Sequence, residues 1–506
     1  MNFKLKILVN SCITSIFCYI INFRGGMEMK KTGLFKIIMF ILLGMVVATW
    51  IFSASYFNEG STVELGMYNV GFVDFFSLIF GTFEFTYFIQ IFILLLSIGA
   101  FYGVLGKTGK YRAWIEKIAN TCKGRELVFL ITCAFVIALI TAVFDYGYIL
   151  LIFFPLLISI ILAMGYEKVT AIVATLGAML VGTIGNLIGY NTTGVISGLL
   201  TTELTDGIYF RLVLLLLSLI ALFYYLYKAK RTKKNNKDDE EDLFIGEKIS
   251  NKYSIVPLIV TFSVLFVLLI LGCTNWESTF NVNVFSNFHT TISEWSPKLP
   301  YIHVTTEGFD TGSDKIAIFT KLFGTTTAFG EWHFAEMSIL LLVLSMIVGL
   351  VYRVKGTFSA MGEGVKKILK PAAMVMLTYC VIYLAGNQMF YPTLASLILG
   401  ITEKFSVVIG SIVMAIGSVL HVDILYVANY VVPQLAAKDA NPVLVSLIAQ
   451  SIYGVTMFVA PTSAMLVFGL TYLNVPYKEW IKKTWKLIVA LLAISLVVSL
   501  VAKFVL

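Results

Sequence analysis

Two apolar segments, one in each half of the chain, are interrupted by polar, turn-forming residues, and each follows an apolar hairpin with an acidic tip. In the first half the run from Val169 to Gly189 is expected to end at Tyr190-Asn191-Thr192-Thr193-Gly194 and then to resume. In the second half the run from Val443 to Val459 ends at Ala460-Pro461-Thr462-Ser463. The hairpin tips read Phe144-Asp145-Tyr146-Gly147 and Leu420-His421-Val422-Asp423. Irregular backbone at bilayer depth survives only where protein or a water-filled cavity surrounds it. Its occurrence twice, in matching order, points to a secondary transporter built from internal repeats.

Composition places the chain in a membrane. Of its 506 residues 58% are hydrophobic and 13% charged, against about 25% charged in soluble domains. The net charge of +8 is no nucleic-acid signal, because the basic residues cluster in short loops, as the positive-inside rule requires. The six cysteines show no CxxC spacing, which excludes a zinc or disulfide framework. Gly103-Val-Leu-Gly106-Lys107-Thr108 imitates a phosphate loop, but the first position of that motif would be Phe101, after a membrane helix rather than a strand. The glycine pairs Gly99/Gly103, Gly185/Gly189 and Gly194/Gly198 suit close helix packing.

Counting basic residues yields a complete topology. Spans over 34–53, 87–105, 208–227, 254–273, 337–351, 371–385 and 487–501, two hairpins and two broken segments put Lys30/Lys31, the 107–125 loop, 228–237, 353–370 and 478–486 on the cytoplasmic side. The expected fold is an all-α polytopic membrane protein of two inverted-topology repeats, each with a re-entrant hairpin and a broken transmembrane helix. Its parts are repeat 1 (29–228), a charged cytoplasmic linker (229–253), a connecting helix (254–273), an extracytoplasmic loop (274–334) with strand-like pieces such as 302–306, and repeat 2 (335–506). Residues 1–28 are expected to be an extra segment, with translation starting at Met29.

Ionisable groups at membrane depth cost about 2.5–3.5 kcal/mol on insertion scales, which marks Asp145, Asp423 and His421 as ion-coupling candidates. Asn191, Thr192, Thr193, Thr462 and Ser463 lie where half-helix ends can hold a carboxylate or a sodium ion. Asn387 joins them as a substrate-binding candidate, and Asn186, Gln388 and Gln450 form a second rank. The competing reading of each tip aspartate is a helix cap. No catalytic residue, bound metal or organic cofactor is expected, only a coupling cation, Na+ or H+. A polytopic membrane enzyme remains the alternative, and it would have to use His421 with Asp423.

These residues resemble the YfcC-like, C4-dicarboxylate anaerobic carrier family of the ion transporter superfamily from about Met29 onward. The likeness is carried by Thr49-Trp50-Ile51-Phe52, by 99–109, by Leu162-Ala-Met-Gly-Tyr166, by Arg211-Leu212, by Ala460-Pro-Thr-Ser463 and by Val475-Pro-Tyr-Lys-Glu-Trp480. It implies a dimeric inverted-repeat carrier that moves organic anions or amino acids by ion coupling or exchange. The chain departs from the family's pattern at both tips and at the first break, so the resemblance transfers the fold better than the substrate. The reading is a secondary active transporter of a bacterial inner membrane, taking a C4-dicarboxylate or an amino acid, with the lipid bilayer and a second copy as partners.

The topology makes one sharp prediction. Single cysteines introduced at Asn235 and Asn287 should react with a membrane-impermeant reagent from opposite sides, 235 from the cytoplasm. Reaction of both from one side refutes the mirrored arrangement.

Overall fold

The structure is a computed structural model that describes residues 33–229, 244–245 and 253–506, apart from 59, 306–307, 316–317, 325 and 439. The expected extra segment 1–28 and most of the charged linker lie outside the described residues. Among the described residues nine helices are long and apolar enough to cross a membrane, with the broken pair 442–472 taken as one.

In the first half, α1 (Leu34–Ile51) leads into a two-stranded hairpin, β1 (Ala54–Asn58) and β2 (Ser61–Gly66), and a short helix, α2 (Phe72–Thr82). Then follow α3 (Thr86–Lys107), the surface helix α4 (Lys110–Thr121), and the hairpin limbs α5 (Glu126–Phe144) and α6 (Gly147–Leu151) with α7 (Phe154–Ala163). The broken segment comprises α8 (Lys168–Ile184) and α9 (190–200), and α10 (Ile208–Tyr227) closes the half. Helix α11 (Val256–Cys273) connects the halves. The loop after it holds α12 (Trp276–Phe280), α13 (Val284–Glu294), the antiparallel pair β3 (Lys298–Thr305) and β4 (Gly308–Lys315), and α14 (Ile318–Phe323). The strand expected around 302–306 is present as far as Thr305, in register Ile302 to Thr311, and residue 306 lies outside the described residues.

The second half is again helical. Helices α15 (Phe334–Val351) and α16 (Thr357–Gln388) precede α17 (Tyr391–Leu399) and the hairpin α18 (Val407–His421) and α19 (Ile424–Ala436). The broken pair α20 (Pro442–Val459) and α21 (Ala464–Tyr472) and the final helix α22 (Tyr477–Val505) complete the chain. Two elements differ from expectation. Helix α16 runs on through Pro371 from a basic, polar start at Thr357, because one missing N–H interrupts a single backbone bond. The first limb of hairpin 1 has 19 residues and reaches spanning length, whereas the limbs of hairpin 2 have 15 and 13.

Glycines set the closest approach in the bundle. Helices α3 and α16 cross where Gly99 and Gly103 face Gly364, and a Cβ on Gly364 would overlap the Gly99 carbonyl. Gly185 does the same work against Leu215 of α10. Gly194 and Gly198 do not: a Cβ on Gly198 would meet nothing within 4 Å, so that pair is no packing motif. Gly364→Ala should therefore force the α3–α16 crossing apart and cost about 1–3 kcal/mol, read as a lower thermal midpoint of the purified protein. An unchanged midpoint would show that the crossing yields freely.

Candidate functional site

The first tip ends α5 because Asp145 takes the left-handed conformation, φ 61°, which Asp tolerates better than most residues. Its backbone N–H still reaches the Thr141 carbonyl at 3.0 Å, and Gly147 N–H returns to the Asp145 carbonyl at 2.9 Å. The carboxylate leaves its own hairpin: the Thr192 hydroxyl donates to Asp145 Oδ1 at 3.0 Å. The backbone amides of Asn191 and Thr192 lie beside the same group, so Asp145 sits at the N-terminal turn of α9, where the helix dipole favours its charge. Its other oxygen, Oδ2, is buried without a hydrogen-bond partner.

At the second tip the turn passes through Val422 at φ 52°, a costly conformation for a β-branched residue. The Tyr453 hydroxyl holds it by donating to the Val422 carbonyl at 2.9 Å. Asp423 then caps α19, with Oδ1 accepting from Leu425 N–H at 3.0 Å. Its Oδ2 accepts from Tyr87 at 3.0 Å and Tyr148 at 3.3 Å, and the Tyr148 and Tyr379 hydroxyls are 2.7 Å apart. His421 takes no part. Its ring stacks on Tyr430 at 4.6 Å and meets Tyr391 edge-on, and neither ring nitrogen has a partner. The His421–Asp423 pair that a membrane enzyme would require is not formed, since the aromatic stack turns the imidazole away from the carboxylate.

The first break lies earlier than the sequence implied. The interruption is 185–189, and Tyr190–Gly194 is the wide first turn of α9, closed by Gly194 N–H on the Gly189 carbonyl at 3.0 Å. The cause is Asn186. Its amide donates to the Thr141 carbonyl at 3.2 Å, and its oxygen accepts from Gly189 N–H at 2.9 Å and from the Thr193 hydroxyl at 2.7 Å. This one side chain bridges the gap in the helix. Gln450 of α20 completes the bridge, donating to the Asn186 carbonyl at 3.2 Å while its oxygen faces the Thr193 hydroxyl at 3.3 Å.

The second break falls at 460–463 as expected. Ser463 caps α21 through Leu466 N–H at 3.4 Å, and the Thr462 hydroxyl donates to the Val419 carbonyl of hairpin 2 at 2.9 Å. The carbonyls freed at the end of α20 are covered from α22. Trp480 Nε1 donates to the Phe458 carbonyl at 2.8 Å, and the Tyr477 hydroxyl to that of Val459. The stretch Val475–Trp480, quoted above only for resemblance, thus has a physical task.

Thr192 is brought to Asp145, Thr193 to Asn186 and Gln450, and Thr462 to hairpin 2, while Ser463 bonds only within its own helix. Tyr148 ties one tip to the other, and Gly147 faces Met465 at the start of α21. Asn191 is exposed beside Thr192, and Asn387 is exposed in the last turn of α16, so Asn387 does not join these contacts. Among the described residues no Lys or Arg pairs with either tip carboxylate, and no three His, Cys, Asp or Glu residues could share a metal. Tyr87, Tyr148, Tyr379, Tyr453, Tyr477 and Trp480 escaped the sequence reading. Their only local signal is a polar-tipped ring inside an apolar run, where a buried hydroxyl or indole N–H must find a partner.

The sequence profile of the C4-dicarboxylate anaerobic carrier family matches residues 32–504. Among solved structures, the YdaH transporter of Alcanivorax borkumensis, described as having an unusual topology, aligns with 94% of this chain and 99% of its own. The identity is 13% and the TM-score 0.43. No curated protein matches the chain.

Replacing Gln450 by Leu keeps the volume but removes the link between the two broken helices. It should cost about 1–3 kcal/mol, seen as a lower thermal midpoint in detergent. No loss would mean that Asn186 closes the first break alone.

Proposed function

The chain belongs to the C4-dicarboxylate anaerobic carrier family, and from that premise we propose that it is a secondary active transporter, an ion-coupled symporter or exchanger. That it is a multi-pass membrane transporter and not an enzyme follows from the family and the nine apolar helices among the described residues. The finer reading is that it moves a small carboxylate-bearing metabolite, a C4-dicarboxylate or an amino acid, across a bacterial inner membrane. The two halves are read as repeats of opposite orientation, and the working unit as a homodimer.

One observation carries this reading: each hairpin is hydrogen-bonded to the helix break of its own half, Asp145 to Thr192 and Val419 to Thr462, and the halves are linked by Tyr87 to Asp423 and Thr193 to Gln450. Half-helix ends present unpaired N–H and C=O groups, which suit a carboxylate and a cation respectively. The Thr192, Thr193, Thr462 and Ser463 hydroxyls add short polar groups between those ends. The tip carboxylates supply negative charge that Na+ or H+ can neutralise as a carboxylate-bearing substrate enters. A buried charge without such a partner is too costly to keep.

The test is uptake into proteoliposomes. Labelled C4-dicarboxylates or amino acids should accumulate in vesicles holding the protein when a Na+ or H+ gradient or an internal exchange substrate is supplied, and not in empty ones. Chemical conversion of a solute without vectorial movement would favour an enzyme.

A further inference from the structure

Between 229 and 253 the sequence is rich in charge, and Leu243-Phe244-Ile245 is its one run of three apolar residues. Of residues 230–252 the structure describes Phe244 and Ile245, and Phe244 is buried, with 1% of its surface exposed. Its ring lies in a socket built by three helices. Tyr102 of α3 meets it at 5.7 Å between ring centroids, and Tyr472, the last residue of α21, stacks on it at 6.2 Å. The Lys367 ammonium of α16 stands 5.9 Å from the ring centroid, within reach of a cation–π contact. Hairpin 1 comes to the same place. The Tyr102 hydroxyl donates to the Ile152 carbonyl at 2.8 Å, and Phe154 packs edge-on against Tyr472 at 5.4 Å.

We propose, resting on the carrier reading above, that Phe244 is an autoinhibitory latch, which pins the second broken helix to the α3–α16 crossing and has to leave its socket before the carrier turns over. Tyr102 and Lys367 stand on helices held backbone to backbone at Gly99, Gly103 and Gly364. Tyr472 instead ends the segment that starts at the second break. Alternating access displaces one bundle of helices against another around such broken segments, and a ring buried between the two opposes that displacement. The contact is also of a kind that can be given up. A phenyl ring makes no conventional hydrogen bond, so its departure strands no buried donor or acceptor. Tyr102 keeps the Ile152 carbonyl and Tyr472 keeps Phe154. What holds the latch is apolar burial, which for one phenylalanine favours the seated form by about tenfold to a hundredfold. That is enough to slow the cycle and little enough to be overcome.

The test is uptake of labelled succinate and of a labelled amino-acid mixture by the full chain in proteoliposomes. F244A should raise the initial rate about threefold or more and leave half-saturation within about twofold, because unlatching changes how many carriers are free to cycle and not the substrate site. Phe244→Leu, which keeps most of the apolar bulk, should stay closer to the wild type than F244A does. If F244A does not fold, a cross-link decides. In a chain whose native cysteines are replaced by alanine, Phe244→Cys and Tyr472→Cys should be bridged by a short bis-thiosulfonate. Uptake should then fall about fivefold or more and return on reduction. The latch is overturned if folded F244A transports no faster than the wild type, if the bridge does not form, or if bridged protein transports at the unbridged rate. Vectorial uptake that neither F244A nor the bridge alters sinks the latch and leaves the carrier. Uptake of neither probe by wild type or F244A sinks the carrier reading, and the latch with it.

Discussion

A helix broken inside a bilayer exposes N–H and C=O groups that lipid cannot satisfy, so each break has to be closed by neighbouring protein. Most of the polar contacts described here answer that demand. Asn186 folds over the first gap and Gln450 reaches in from the other half of the chain. Trp480 and Tyr477 cover the second gap from the following helix. Each break is also fastened to the hairpin of its own half, through Thr192 to Asp145 and through Thr462 to Val419. Because these bonds cross between elements, hairpin and broken helix in each half form a joined unit.

The units are joined to each other through Asp423. Its hydroxyl donors, Tyr87 and Tyr148, come from the first half, and Tyr379, from the second, backs Tyr148. Any motion of hairpin 2 away from α3 has to exchange these bonds for others, because a carboxylate left buried and unpaired costs several kcal/mol. The α3–α16 crossing, made close by Gly99, Gly103 and Gly364, also joins the two halves. The site thus rests on a backbone-to-backbone contact that side-chain adjustment alone cannot loosen.

Capping and ligand binding, weighed as alternatives for the tip aspartates, turn out to be compatible. Asp423 caps its own half-helix, and Asp145 accepts the Thr192 hydroxyl at the N-terminal turn of a neighbouring one. A carboxylate has two oxygens, and one suffices for a cap. What distinguishes the tips is the second oxygen, filled by tyrosines at Asp423 and empty at Asp145.

What the sequence determined by itself was everything that depends on local apolar runs and their punctuation. Most spans, both tips, and the second break at 460–463 fall where hydropathy and turn chemistry place them, because a stretch of about 20 apolar residues has few alternatives in a bilayer; the polar start of α16 and the spanning-length first limb of hairpin 1 do not. The tertiary structure alone decided who satisfies whom. The first break moved from 190–194 to 185–189 because Asn186 found partners on α5, on α9 and on Gln450, and no reading of its neighbours in sequence could supply them. Asp423 meets Tyr87 across 336 residues, His421 turns into an aromatic stack instead of toward Asp423, and Asn387 faces outward. A hydrogen bond inside a membrane protein goes to whichever group the packing brings within about 3 Å, and packing is a property of the whole fold.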